Sequence, residues 1–301
     1  MLIVAALGGN AILKRGEPAT AEVQRVNIRR AAESLAPLIR AGHRLVITHG
    51  NGPQIGLLAL QSSGGEGANP LDVLGAETEG MIGYVIEQEL GNLLPGGQLI
   101  ATLLTQTQVN ARDPAFRSPT KPIGPVYDEA TAAALARERS WSVGKDGAGW
   151  RRLVASPRPL EILEARVIEI LVGQGVIVIC TGGGGIPVVR TETGAYVGVE
   201  AVVDKDLASA LLARQLRADF LMLLTDVEAV FEDWGKPSQH AVGQVRPQDL
   251  DPRRFASGSM RPKLEAAIGF ANETGRPAAI GSLERAEDIV KGLSGTRISV
   301  G

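Results

Sequence analysis

Three short apolar runs in this chain end in glycine, and they constrain its fold more than any other feature. They read IVAALGGN at residues 3–10, RLVITHGNG at 44–52 and VIVICTGGGG at 176–185. Runs this short and this uniformly apolar fit strands buried on both faces, as in a parallel sheet covered by helices. A glycine pair at the end of such a strand brings backbone close to something, and in open α/β sheets ligands bind at the carboxyl ends of the strands.

Helical patterns alternate with these runs. A helix is expected over 21–40, with Thr20 as its N-cap, Gly42 near its end and Pro37 disturbing its last turns. Further helices are expected over 74–90, 162–171, 205–216 (with Asp204 as N-cap) and 262–272, and strands over 98–104, 219–225, 277–280 and 297–300. Residues 187–199 suit a hairpin turning at Glu192-Thr193-Gly194. From 109 to 159 proline and glycine become frequent around one short helix at 128–139, which reads as a lid or protruding subdomain. The alternation as a whole predicts an open, mostly parallel sheet with helices on both faces.

Composition narrows the function. A formal net charge of −2 over 301 residues gives no reason to expect nucleic acid or a membrane surface as partner. The start, MLIVAAL, lacks a basic segment and reads as a buried strand rather than a targeting signal. One cysteine, Cys180, excludes an intramolecular disulfide framework and suits a reducing compartment. His43, His49 and His240 are scattered without metal-ligand spacing.

The glycine turns match no standard phosphate motif. Gly182–Gly185 runs into Ile-Pro, so a dinucleotide fingerprint is incomplete, and Gly235-Lys236 is followed by Pro237, so there is no Walker A loop. Each run taken alone is equally an ordinary tight turn, but three on one sheet edge suggest backbone N–H groups converging on an anion. Charge for such a site must then come from elsewhere. Of 31 basic residues only seven are lysines, and three of these stand beside structure-forming residues. Lys205 lies in VVDKDLAS at a helix start, between Asp204 and Asp206, and Asp206 could pin its ammonium. Lys263 lies in GSMRPK at another helix start, and Lys121 in TKPIGP inside the excursion. As plain alternatives, Lys205 is a solvated capping residue and Lys263 a surface lysine. As the functional reading, they surround a transferring phosphoryl group, a reaction that needs cations and positioning more than covalent chemistry.

With these motifs in place, the sequence is similar to the carbamate kinases of the amino acid kinase family. The similarity runs along nearly the whole chain through ALGGNAI, GHRLVITHGNGPQIG, EGMIGY, TKPIGP, CTGGGGIPVV, GVEAVVDKDLAS, LLTDVEAVFEDWGKP and GSMRPKLEAA. It implies a three-layer αβα sandwich with an open, mostly parallel central sheet and a small protruding subdomain. It implies a carbamate-binding part at about 1–180, with the subdomain at about 109–159, and a nucleotide-binding part at about 181–301. The implied reaction is reversible phosphoryl transfer between ATP and carbamate with Mg2+, in a cytoplasmic homodimer, physiologically making ATP from carbamoyl phosphate in arginine catabolism.

Carried over by position, the resemblance makes Lys121, Lys205, Asp206 and Lys263 catalytic. It gives Gly8, Gly9, Asn10, Gly50, Asn51 and Gly52 to the acceptor and the moving phosphoryl group. It gives Gly183, Gly184, Lys205, Thr225, Asp226, Val230, Trp234, Met260 and Lys263 to the nucleotide. In relatives that phosphorylate acetylglutamate a lysine precedes the first Leu-Gly-Gly, whereas here that place is Ala6; Ser257 stands where some relatives have proline. The alternatives are another amino acid kinase, acting on acetylglutamate, glutamate, aspartate or UMP, and a non-catalytic nucleotide-binding sensor.

Overall fold

The computed structural model describes residues 1–14, 16–61, 69–256, 258 and 260–301; Ser257 lies outside them. Its centre is an eight-stranded sheet. The order across it is Gln244–Val245, Thr296–Ile298, Ala278–Ser282, Phe220–Thr225, Leu2–Leu7, Arg44–His49, Ile177–Ile179 and Ile100–Thr102. Every neighbouring pair is parallel except Ala278–Ser282 with Thr296–Ile298.

Side chains that alternate along a strand serve two separate cores. From the first strand, Leu2, Val4 and Ala6 pack with the helices Ala165–Gly173, Lys205–Gln215 and Met260–Thr274. Ile3, Ala5 and Leu7 pack with Ala21–Arg40, Leu71–Leu93 and Ala286–Lys291. This double burial is why the strand reads as a continuous apolar run, and it makes the molecule an αβα sandwich. Thr20 caps the helix Ala21–Arg40 by accepting from the Val23 N–H, and Pro37 is accommodated inside it.

The first strand is also where the winding of the sheet reverses. Its neighbour Arg44–His49 is reached through Ala21–Arg40 on one face, and its neighbour Phe220–Thr225 through Lys205–Gln215 on the other. Loops at the carboxyl ends of these strands therefore diverge and open a crevice. Gly8, Gly50 and Asp226 follow directly on the three strands.

A second sheet orders Tyr196–Gly198, Ile186–Arg190, Gln106–Val109 and Pro159–Ile162, and contains the expected hairpin. Its antiparallel pair Gln106–Val109 with Pro159–Ile162 forms the neck of the Pro/Gly-rich excursion. Beyond that neck, Lys121–Tyr127, Gly149–Val154 and Ser142–Asp146 make a separate three-stranded sheet, with the helix Glu129–Arg139 capped by Asp128. Periodicity alone had marked only that helix.

Two expectations are corrected in extent: the strand expected over 98–104 is confined to Ile100–Thr102, and the helix expected over 162–171 runs over Ala165–Gly173, with Ile162 ending the strand Pro159–Ile162. GPQIGLLALQ, for which no element is expected, is a helix over Gly52–Gln61. Pro53 in its first turn has no N–H to lose there, which lets a helix begin straight out of the glycine turn.

The subdomain docks on this helix at glycines. A Cβ on Gly56 would fall 1.9 Å from the Cα of Gly124, which itself has φ +74°. Gly56→Ala should therefore lift the subdomain away, since neither backbone can yield cheaply; overpacking of this kind costs ~1–3 kcal/mol. Limited proteolysis should show faster cleavage within 121–154 while the main core stays folded. An unchanged cleavage pattern would contradict this docking.

Candidate active site

The helix Lys205–Gln215 organises the crevice from its first turn. Asp204 caps it, with Oδ1 accepting from the N–H groups of Asp206 (3.0 Å) and Leu207 (3.3 Å). The other oxygen of Asp204 accepts from Lys121 Nζ at 2.6 Å, so one carboxylate both ends the helix and receives the subdomain's lysine. Sequence reading had assigned Asp204 only the capping role.

Asp206 is buried and divides its two oxygens between two lysines. Oδ1 accepts from Lys205 Nζ at 2.5 Å, and Oδ2 from Lys263 Nζ at 2.9 Å. Lys263 comes from the first turn of Met260–Thr274, which packs against Lys205–Gln215 in the same apolar core. Burial pushes the Asp206 carboxyl up, but the two ammonium groups outweigh it and hold it well below the usual carboxylate range. Burial likewise opposes the charge on Lys263, and the attraction of Asp206 more than restores it; at Lys205 burial prevails and its pKa falls below that of an ordinary lysine. Two ammonium groups thus share one carboxylate beside the crevice.

The first two glycine turns meet the same lysine. A Cβ on Gly50 would approach the N (3.1 Å) and Cα (3.2 Å) of Gly9 and the Cδ of Lys205 (3.6 Å). Gly8 N–H donates back to Leu224 and Gly50 N–H to Leu7. Among the described residues, no acceptor takes the N–H of Gly9 or Asn10, at the start of a short helical turn. The Asn10 amide donates to Asp226 Oδ2 at 2.7 Å, which ties the loop after the first strand to the loop after Phe220–Thr225. Asn51 is buried and donates to Thr78 Oγ1 at 2.8 Å, while Gly52 begins the next helix.

The third turn is packed rather than open. A Cβ on Gly182 would lie 2.4 Å from the His49 ring, one on Gly183 2.1 Å from the Asn51 amide, and one on Gly184 2.5 Å from the Val203 carbonyl. Gly183 and Gly184, assigned to the nucleotide from sequence, thus sit against the Asn51 loop and the residue before Asp204. Trp234 is 65% exposed, with its ring edge-on to Phe231 at 5.4 Å. Val230 is fully buried in the core, and its N–H donates to Thr296 Oγ1 at 2.9 Å. Thr225 bonds Asp226, and Met260 opens the helix that carries Lys263.

Of the polar layer beneath the turns, sequence reasoning missed the roles of Thr78, Glu79 and Thr105. His49 is buried, and burial lowers its imidazole to about 4, with the Lys205 charge acting the same way, which makes it a weak base near pH 7. Glu79 is buried too, and burial pushes its carboxyl up to about 8 despite hydrogen bonds from Thr105 and Gly182. Burial raises the Cys180 thiol to about 12, which makes it an inert core residue. Among the described residues no three His, Cys, Asp or Glu side chains group as a metal site.

Asp206→Ala would leave two ammonium groups buried and mutually repelling. Breaking a buried pair by removing one partner costs ~3–5 kcal/mol. Denaturant unfolding should show a loss of that order, and a loss within ~0.5 kcal/mol would mean that Asp206 does not hold the pair.

Comparison with known proteins agrees with this geometry. The model of the amino acid kinase family matches residues 1–282. A carbamate kinase from Haemophilus influenzae is 56% identical, over 99% of this chain and 97% of the relative. One from Rhizobium meliloti is also 56% identical, over 99% of this chain and 93% of the relative. In the solved structures, carbamate kinase from Giardia lamblia bound to AMP-PNP superposes with a TM-score of 0.88 at 40% identity, covering 99% of this chain and 98% of that one. The glycine turns, the lysine pair on one aspartate and this full-length similarity together place the chain in the amino acid kinase family.

Proposed function

We propose that the protein catalyses reversible phosphoryl transfer between ATP and carbamate, giving ADP and carbamoyl phosphate. The observation that carries this reading is the Asp206 carboxylate holding Lys205 and Lys263 against the paired glycine turns of the first two strands. The acceptor follows from Ala6, which is fully buried and faces the core of Lys205–Gln215. No lysine stands there to meet a larger acidic acceptor, so positive charge comes from Lys205 and, through the subdomain, Lys121.

In this mechanism a carbamate oxygen attacks the γ-phosphorus in line with the leaving ADP oxygen. Carbamate is already anionic and needs no general base, in keeping with a neutral, buried His49. Lys205 and Lys263 neutralise charge on the transferring oxygens, and the N–H groups of Gly9 and Asn10 face them from the opposite wall. Asp206 touches no substrate and keeps both lysines charged and in place. The segment from Thr225 to Trp234 and Met260 would receive the nucleotide base.

Mg2+ would arrive with the nucleotide phosphates, which it binds together with only one or two carboxylates. The donor set suits that mode: Asp204 and Asp206 are engaged by lysines, and Asp226 is the carboxylate at the crevice with no lysine bonded to it among the described residues. Bound there, the ion would offset charge on the β- and γ-phosphates.

We place the enzyme in the cytoplasm as a homodimer. Exposed Met81 and Tyr84 on Leu71–Leu93 support a face covered by a second copy, and the single buried Cys180 suits a reducing compartment. Carbamoyl phosphate is a mixed anhydride and phosphorylates ADP downhill, which favours ATP synthesis, the direction used in arginine catabolism.

The test is ATP formation from ADP and carbamoyl phosphate, alongside ADP release with carbamate, acetylglutamate, glutamate, aspartate and UMP as acceptors. Carbamate and carbamoyl phosphate alone should turn over, and Lys205→Ala should lose on the order of 10²-fold or more, as for one transition-state donor. Turnover of another acceptor instead, ATP binding without any turnover, or near-normal Lys205→Ala activity would each overturn the reading.

A further inference from the structure

The polar layer under the glycine turns has no part in the chemistry above, yet its bonds lead to the acceptor loop. Thr78 and Glu79 are consecutive, buried residues in the middle of Leu71–Leu93. Thr78 Oγ1 accepts from the Asn51 amide at 2.8 Å and donates to the Gly75 carbonyl at 2.8 Å. Glu79 accepts from the Thr105 N–H at 2.8 Å and from the Thr105 hydroxyl at 3.2 Å, and also takes the Gly182 N–H. The Thr105 hydroxyl in turn accepts from the Thr181 N–H at 2.5 Å.

Thr181 is the strained member of this chain. It is a fully buried β-branched residue at φ +54°, a conformation that persists only where its surroundings over-determine it. What fixes it is Thr105, and what fixes Thr105 is Glu79. The turn that Thr181 begins carries Gly182 against His49 and Gly183 against the Asn51 amide, each so closely that a Cβ would overlap. A shift of this turn is therefore a shift of Asn51, and with it of the loop that begins at Gly50.

We infer that Glu79 is a positioning residue for phosphoryl transfer, which acts through Thr105 and Thr181 to hold the Gly182–Gly183 turn under Asn51 and so fixes the acceptor loop opposite Lys205. This rests on the acceptor reading given above. One helix grips both loops through adjacent residues, Asn51 by Thr78 and the glycine quartet by Glu79, so their spacing is set within a single rigid element. A buried carboxyl suits the task, because one of its oxygens takes the Thr105 N–H and the other meets the Thr105 hydroxyl. Glutamine keeps a carbonyl for the Thr105 N–H and sets an amide NH2 against the Thr105 hydroxyl, which can rotate to accept from it, whereas alanine can do neither.

The experiment compares wild type with Glu79→Gln, Glu79→Ala and Thr105→Val. Readouts are ATP formation at varied carbamoyl phosphate and, separately, ADP binding by calorimetry. Misplacement of about 1 Å costs on the order of 10²-fold. Glu79→Ala should therefore lose roughly 10- to 100-fold in kcat/KM for carbamoyl phosphate while its Kd for ADP stays within about 2-fold. Thr105→Val keeps the core volume and should show a smaller loss of the same kind; Glu79→Gln should stay within about 3-fold of wild type.

If Glu79→Ala does not fold, Thr105→Val carries the test. Wild-type activity retained in both Thr105→Val and any folded Glu79→Ala overturns the inference. So does an equal loss of ADP binding, which would mark a general scaffold residue. An inactive wild type overturns the phosphotransfer reading and this inference with it; an active wild type indifferent to Glu79 and Thr105 overturns this inference alone.

Discussion

Everything at the crevice depends on one carboxylate shared by two ammonium groups. Asp206 lies at the start of one helix and meets its own neighbour Lys205 and Lys263 from a second helix, with all three largely out of water. Such an arrangement carries a desolvation cost of several kcal/mol per ion, so as a device for stability alone it is a poor choice against a well-packed apolar cluster. Its value is positional. The pair is fixed in direction by one carboxylate, and Lys205 lies beside the two glycine turns.

The surrounding structure is arranged to bring these groups to one place. Reversal of winding at the first strand opens the crevice. Double burial of that strand leaves only its carboxyl end free to turn outward, and glycine at position 50 lets its turn pack against the Gly9 backbone and the stem of Lys205. The subdomain joins through Lys121 on Asp204, the residue that caps the Lys205 helix. The subdomain contact and the helix start thus depend on the same side chain.

Much of this was legible in the sequence where the signal is local. Strands buried on both faces show as unbroken apolar runs, and caps such as Thr20, Asp128 and Asp204 mark the helix starts. Lysines that persist in an arginine-rich chain drew attention to positions 121, 205 and 263. What stayed hidden depends on pairing between distant segments. The strands of the subdomain are half-exposed, and Lys121–Tyr127 is interrupted by two prolines, so period-two alternation is lost. The helix Gly52–Gln61 opens on Gly-Pro and mimics a turn. The glycine quartet reads as a phosphate cradle, and what the sequence does not show is that a Cβ at each of its glycines would strike a residue distant in the chain, His49, Asn51, Val203 and Thr107 in turn. Thr78 and Thr105 gave no motif, and Glu79 showed only as the first residue of EGMIGY with no role attached, because a buried polar chain is visible only once its members are neighbours.

The central claim is that Lys205 and Lys263 act as one charged unit through Asp206. A double-mutant cycle in kcat/KM, built from Lys205→Ala, Lys263→Ala and the double variant, tests it most directly. If the lysines form a unit, each single change removes most of the rate and the double variant loses little more than the worse single one. Losses that multiply as for independent groups would contradict the claim.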